Sequence, residues 1–570
     1  MIKEKKDQVA VFTFLGIIWL YTFYASVIAP PFFAYYTVDE NYIADSGVFL
    51  WFGMTPRCLD WPATPSLLIF SILFGIDCLI SIFQNFATFN SFFEVFEAID
   101  YRAYQYLTDR TEYLLVGRSV QLIIIGYFLI LSVRSIYQKN HYLLTPPVQI
   151  ILSVLIVTSY TVWFNAPVLR PEGISGSIFM FIALQLIFSE NITINEARTL
   201  VVLFAVVVAE RFLFLFISPI IFISIYLLLP QNNRWRIVLN LTGRFLIILL
   251  ALCPFILTDP LVVAKSFIGG IIAKMNDKPM ETLFNKGYII SYFENPASYL
   301  VLVSCLVGVY TLIRQRQMIY WVIIINWMLF LLMVLRSAKI YDTHVLPAAT
   351  ITIICTGLGL GYLARKSFKI GKYLASVIVI LLVTSNLWNY VEYQNRTRQK
   401  QNLHEAFNWI QGLPQNSRLL VLPEMEFYIA KSEEVLQKEI EQNRDTTKMI
   451  RKLNYLLGNS PNRQMAKQNI PISTSAFAFE DERLYDLQYQ LLLKYNRTEN
   501  KRFYNFEVYL DNTELASHSV QWDKALQDFF NGEYTYLLTE RTLEGLEPII
   551  EFNEFAGIPL KVYKTSSAKK

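Results

Sequence analysis

Two carboxylates stand side by side at Asp39 and Glu40, directly after an apolar run that ends near Pro30. Ionisable groups within a few residues of a membrane surface are costly unless they are used, so the pair reads first as a site. Carboxylates placed there could take a proton or hold a cation. The plainer alternative makes Asp39 the N-cap of a helix starting at Glu40 or Asn41, and it leaves the second carboxylate unexplained. A second charged point is Arg170-Pro171-Glu172, at the end of the apolar run 148 to 166. Its plainer alternative has Arg170 snorkelling and Glu172 opening the next helix, where a negative charge suits the dipole. Cations able to hold an anionic group are Arg57, Arg118, Lys265, Lys274, Lys278, Arg336, Lys339 and His344. Glu210 and Arg211 interrupt an apolar run. They read equally as a mutually paired couple near a helix break and as a contact for a lipid phosphate.

The elements that must position these residues are membrane spans. The chain of 570 residues is 54% hydrophobic and 15% aromatic, with only 17% charged. That composition excludes a soluble domain of this size and points to a polytopic membrane protein with a soluble appendage. A net charge of +4 with scattered basic clusters gives no argument for nucleic acid. Runs of roughly 20 residues are long enough to cross a bilayer. They centre on 9 to 29, 115 to 134, 148 to 166, 173 to 189, 198 to 211, 212 to 229, 237 to 257, 297 to 314, 318 to 335, 346 to 364 and 374 to 392. That makes about eleven spans, and 198 to 229 reads either as one long tilted helix or as two short ones. Lys3, Lys5 and Lys6, read as preceding an uncleaved first span, place the N-terminus in the cytoplasm. Arg134 with Lys139, Arg234 with Arg236, Arg314 with Arg316, and Arg365 to Lys372 fall on the same side if Ser66 to Phe83 lies in the outer interface instead of crossing. Residues 30 to 114 then form a large first external loop within a membrane domain of 1 to 392. All the candidate residues named above for proton transfer and anion binding become external.

From about Asn395 charged residues multiply and apolar runs shorten to strand length. Residues 393 to 570 read as a separate extracytoplasmic α/β domain, with strands at 419 to 422, 504 to 509, 534 to 538 and 560 to 563 and helices at 402 to 412, 432 to 458, 482 to 495 and 522 to 531. It carries no phosphate-cradling glycine loop and no nucleophile elbow, so a cover or an acceptor-binding module is expected. The cysteines Cys58, Cys78, Cys253, Cys305 and Cys355 show no ligand spacing; neither a zinc site nor a disulfide framework is indicated. His141, His404 and His518 have no partner at metal spacing.

The order of a first apolar span, the Asp39-Glu40 pair, Gly47, Gly53, Pro56 and then Pro62-Ala63-Thr64-Pro65 leading into an apolar helix resembles the first external loop of the GT-C superfamily. These are glycosyltransferases that use lipid-linked sugars, among them the protein O-mannosyltransferases and the aminoarabinose transferases of lipid A. The resemblance covers about residues 9 to 392. It implies that Asp39 is the general base, that Glu40 orients the acceptor or a metal, and that Glu172 faces Asp39 across a cavity. Two carboxylates there could share a divalent metal ion or divide base and binding roles, which leaves the cofactor unknown. Arg118 resembles the family's arginine after the loop, and Arg336, Lys339 and His344 its late basic loop. Where the aminoarabinose transferases have a lysine just before the proline of the loop exit, this chain has Asp60-Trp61-Pro62, so the phosphate grip falls to other cations, with Arg57 as the candidate; Arg170 stands among the substrate-binding residues.

The implied activity is transfer of a sugar from a polyprenyl-phosphate donor to a lipid, glycan or protein acceptor on the outer face of the inner (plasma) membrane, with inversion. Three rivals stand beside it, one of them a degenerate family member with a scaffold role, against which the presence of Asp39 and Glu172 speaks. An oligosaccharide transferase acting on asparagine would carry a tryptophan-rich acidic motif in the tail, where only the isolated Trp409 and Trp522 occur. A transporter or flippase with an external sensory domain would show duplicated halves with broken helices at mid-membrane; no repeat is visible, and the candidate charges gather at one surface.

Overall fold

The structure is a computed structural model. In the helical part it describes residues 2–28, 63–85, 111–167, 169–230, 233–258, 260, 286–335, 345–365 and 369–398, with short pieces at 43–44, 46–48, 50–52, 95–96, 98–99 and 102–103. In the C-terminal part it describes 409, 413, 418–422, 505–507, 526–527, 529–539, 542–543, 545–555 and 558–565. The chain divides into two units. The first comprises Met1–Ala29, Cys58–Ile69 and Val116–Gln394; the second comprises Pro30–Arg57, Phe70–Leu115 and Asn395–Lys570.

Among the described residues, the helices are α1 (Ile2–Phe23, continued by a π turn at Tyr24–Ile28), α2 (Thr64–Gln84), α3 (Thr111–Gln138), α4 (Pro146–Val157), α5 (Tyr160–Asn165), α6 (Pro171–Ile187), α7 (Ile194–Glu210) and α8 (Ser218–Leu228). They continue as α9 (Arg234–Leu252), α10 (Phe255–Thr258), α11 (Lys286–Glu294), α12 (Pro296–Arg314), α13 (Met318–Leu335), α14 (Leu346–Arg365) and α15 (Lys369–Arg398). Among the described residues, eight helical stretches are long and apolar enough to cross a membrane; 171–187, 212–228 and 318–332 are shorter apolar helices. The chain is therefore a polytopic helical protein of membrane type. The run Ser66 to Phe83, expected to lie in the interface, forms the 21-residue helix α2 and is one of the eight. The 198 to 229 stretch is two short helices, not one long one: α7 ends at Glu210, and the second opens as a 3-10 segment Phe212–Ile217 that continues into α8 from Ser218.

Within the first unit, α14 is the helix around which others close. A Cβ on Gly308 of α12 would fall 1.8 Å from the Cys355 carbonyl oxygen, and one on Gly359 would fall 1.9 Å from that of Ser304. The two backbones touch, and only glycine fits at the crossing. On another face of α14, Gly357 and Gly361 receive Leu152 and Val148 of α4. Trp19 of α1 packs over Gly126 of α3 and donates to the Leu122 carbonyl at 2.9 Å. Thr22 and Tyr390 share a buried 2.6 Å hydrogen bond that ties α1 to α15.

In the second unit Asp77, a charge inside the apolar α2, accepts a 2.5 Å bond from the Tyr113 hydroxyl and lies 3.8 Å from the Arg102 guanidinium. Trp51 lies against Gly75 and donates to the Ser71 carbonyl at 2.9 Å. The same unit holds a mixed sheet of β1 (Arg418–Leu422), β2 (Asn505–Glu507), β3 (Tyr536–Thr539), β4 (Ile550–Phe555) and β5 (Ile558–Lys564) in the order β2-β1-β3-β5-β4. β1 runs parallel to β2 and β3, whereas β5 is antiparallel to both β3 and β4. Phe529, Tyr534, Leu537 and Tyr563 form its buried cluster. Four strands fall where β-branched and aromatic runs predict them; β4, Ile550–Phe555, was not expected. The predicted helices at 402–412, 432–458 and 482–495 lie outside the described residues apart from Trp409.

Candidate functional site

Polar groups within the first unit collect at two opposite ends of the helices. α6 separates them: Glu172 sits in its first turn and Gln185 in its last, about 20 Å apart at the helical rise per residue.

At the Glu172 end, α6 starts by a clear rule. Arg170 is the extended N-cap residue at φ −123° and ψ 141°, Pro171 is the first helical residue, and Glu172 brings its charge into the first turn. The Glu172 side chain is 3% exposed, and its Oε1 lies 3.2 Å from Nη2 of Arg211. Arg211 follows the last residue of α7 in an extended conformation, φ −145° and ψ 106°. Its neighbour Glu210 is fully buried and turns to α2, accepting a 3.0 Å bond from the Ser66 amide and a second bond from the Ser66 hydroxyl. Thr64 Oγ1 and Cys253 Sγ, which follows α9, are 3.1 Å apart at the same helix start. Glu210 and Arg211, read from sequence as a self-paired couple or a lipid-phosphate contact, thus each bind a different element.

Arg118 is fully buried in α3 and donates from Nη1 to the Ser26 carbonyl at 3.0 Å, in the π turn that ends α1. That turn widens the backbone path where the guanidinium arrives. One turn further along, Gln121 donates from Nε2 to the carbonyls of Asn165 and Ala166 at 3.2 and 3.4 Å. A Cβ on Gly173 would meet that same Nε2 at 2.9 Å, so glycine is required for α3 and α6 to approach. The Arg170 guanidinium lies over the Phe164 ring, 5.6 Å from its centroid. Seven chain segments therefore converge on one corner: the ends of α1, α5, α7 and α9 and the starts of α2, α3 and α6.

Of the residues singled out from sequence, Glu172, Arg118 and Arg170 belong to this corner. Asp39, Glu40, Arg57, Lys265, Lys274, Lys278, Arg336, Lys339 and His344 lie outside the described residues. Sequence reasoning missed Ser66 and Gln121. Ser66 carries no signal of its own, and Gln121 is legible only as a carboxamide inside an apolar run. Among the described residues no group of three or more His, Cys, Asp or Glu side chains could hold a metal ion.

At the other end, Lys139 donates to Ser189 Oγ and, at 3.3 Å, to the Gln185 carbonyl. Burial pushes the Lys139 ammonium down to about 8, while the Glu196 charge pulls it back up. Tyr320 shares 3.3 Å contacts with His141 Nε2 and with the Tyr142 hydroxyl. Arg365 donates to Thr145 Oγ1 at 2.7 Å and to the Tyr142 carbonyl at 2.9 Å. Lys139 and Arg365, assigned to one side by charge bookkeeping, thus share one end of the helices.

No protein-family model matches the chain, and no curated protein does.

Proposed function

We propose that the chain is an integral membrane glycosyltransferase with a GT-C-like membrane domain of about eleven spans and a C-terminal α/β domain outside the cytoplasm. It takes sugar from a polyprenyl-phosphate donor at the outer face of the inner (plasma) membrane. The observation that carries the reading is the buried corner where Glu172, Arg211, Arg118 and Arg170 gather at one end of an otherwise apolar helical body. Charge is expensive in such a body unless it serves a site, and an acid among several cations is what transfer from an anionic donor requires.

In this reading the acceptor hydroxyl attacks the anomeric carbon from the face opposite the phosphate. The bond from that carbon to the phosphate oxygen breaks, and the polyprenyl phosphate leaves with the electron pair. Asp39 takes the acceptor proton. Arg118, Arg170 and Arg57, with Arg336, Lys339 and His344, are the candidate groups that hold the leaving phosphate, and Glu40 and Glu172 order the acceptor side. The test is to offer the protein, reconstituted in lipid, a panel of radiolabelled polyprenyl-phosphate sugars and nucleotide sugars with lipid, glycan and peptide acceptors. Consumption of one lipid-linked donor is expected. Consumption of a nucleotide sugar alone, or of no donor, would overturn the reading.

A further inference from the structure

We propose that Glu210 and Arg211 are positioning residues of this corner: Glu210 serves as the N-cap that α2 lacks, and Arg211 aims the Glu172 carboxylate. The functional half of this inference rests on the glycosyltransferase reading.

The start of α2 needs help that its own sequence does not give. The Leu67 amide bonds to the Ala63 carbonyl at 2.9 Å, which makes Ala63 the N-cap residue. Alanine has no side-chain oxygen to accept from the first-turn amides. Ala63 is buried and held at φ 47°, a left-handed conformation that a side chain resists. Pro65 brings no amide hydrogen, so the donor a normal cap would satisfy is the Ser66 amide, three residues on. Glu210 accepts that amide at 3.0 Å and the Ser66 hydroxyl as well. The carboxyl group of a residue at the end of α7 thus does the work of an Asp or Ser side chain at position 63.

The two side chains diverge because Arg211 is extended, and successive side chains of an extended backbone point opposite ways. Glu210 reaches α2 while Arg211 reaches the first turn of α6. One dipeptide at the end of α7 therefore holds both the entry to α2 and the acid of α6. A planar guanidinium fixes the direction of a carboxylate; an ammonium supplies only charge.

The test uses the full chain in lipid nanodiscs and two readouts. Cys253, buried beside Thr64, reports the seating of α2 through its alkylation by a membrane-permeant maleimide, followed by peptide mass spectrometry. Glu210→Ala is expected to speed this labelling about tenfold, as loss of a cap does to local opening. Glu210→Gln, which still accepts from the Ser66 amide, is expected to label near the wild-type rate. Arg211→Lys is expected to keep the melting temperature and the donor KM while kcat falls about tenfold, because the pair survives and its aim does not. Wild-type labelling in Glu210→Ala would overturn the cap, and an unchanged kcat in Arg211→Lys would overturn the aiming role. A wild-type protein that consumes no donor would instead overturn the glycosyltransferase reading together with the aiming role, leaving the cap to be decided by Cys253 labelling.

Discussion

Glu172 and Arg211 form an ion pair in which both side chains are largely buried. Such a pair does little for stability as a whole, yet breaking it leaves one charge uncompensated in a dry place. Arg211→Ala should therefore cost about 3 to 5 kcal/mol, and adding Glu172→Gln to Arg211→Ala should restore part of that loss. Thermal melting of the single and double variants checks this, and strictly additive losses would contradict a direct pair. Glu172 is legible in the sequence because Pro-Glu marks the start of a helix. Its partner is not, since Arg211 comes from another helix and nothing local to either residue announces the meeting. What is visible is the anomaly: two charges within an apolar run imply partners without naming them. Arg118 shows the same limit, because its burial against the end of α1 depends on a π turn that no periodicity predicts.

Helices such as α7 show which element features are readable. Thr193-Ile194-Asn195-Glu196 is a capping box, with the Glu196 amide donating to the Thr193 hydroxyl at 3.2 Å and the Thr193 amide donating to the Glu196 carboxylate at 2.7 Å. The backbone hydrogen bond from Thr193 holds the Glu196 carboxyl below its ordinary value. A depressed carboxyl gives stability that is fully present above its unfolded value, near pH 4.5. That stability is lost as pH falls through the lower folded value. Glu196→Gln should therefore melt below wild type at pH 7, and the gap should narrow once pH falls below 4.5; a gap that is constant or grows in acid would contradict the box. The crossing of α12 and α14 is the opposite case. Gly308 is an ordinary glycine in an apolar run by sequence, yet a methyl there would strike the Cys355 carbonyl oxygen. Backbone cannot yield as a side-chain tip does, so Gly308→Ala should cost about 3 kcal/mol or more. Melting within a degree or two of wild type would show that the helices stand further apart.

Among its described residues the first unit repeats one pattern: charges and hydrogen-bonding groups collect at two ends of helices whose exposed sides are largely apolar. Hydropathy made most of the helices legible and charge bookkeeping placed Lys139 and Arg365 together, because both signals are local sums along the chain. The 3-10 form of Phe212–Ile217 escaped, since a break at Glu210 and Arg211 is legible but its geometry is not; the strand at Ile550–Phe555, which pairs with its near neighbour β5, escaped because Glu551, Asn553 and Glu554 interrupt its apolar run. If the two ends face opposite sides of a membrane, exposed residues near them should separate by side. Cysteines placed at Asn191 and Arg316 should react with an impermeant maleimide from one side of sealed vesicles, and one placed at Pro254 from the other. Labelling of all three from a single side would contradict this arrangement.

The measurement that reaches furthest is donor turnover by the wild-type protein beside Asp39→Asn and Glu172→Gln, which keep size and remove charge, with melting of all three recorded. The glycosyltransferase reading predicts that one polyprenyl-phosphate sugar is consumed by wild type. It predicts that Asp39→Asn abolishes turnover while the protein stays folded, and that Glu172→Gln lowers it. Turnover in Asp39→Asn equal to wild type would remove the base, and the absence of turnover on every donor and acceptor would remove the reaction itself.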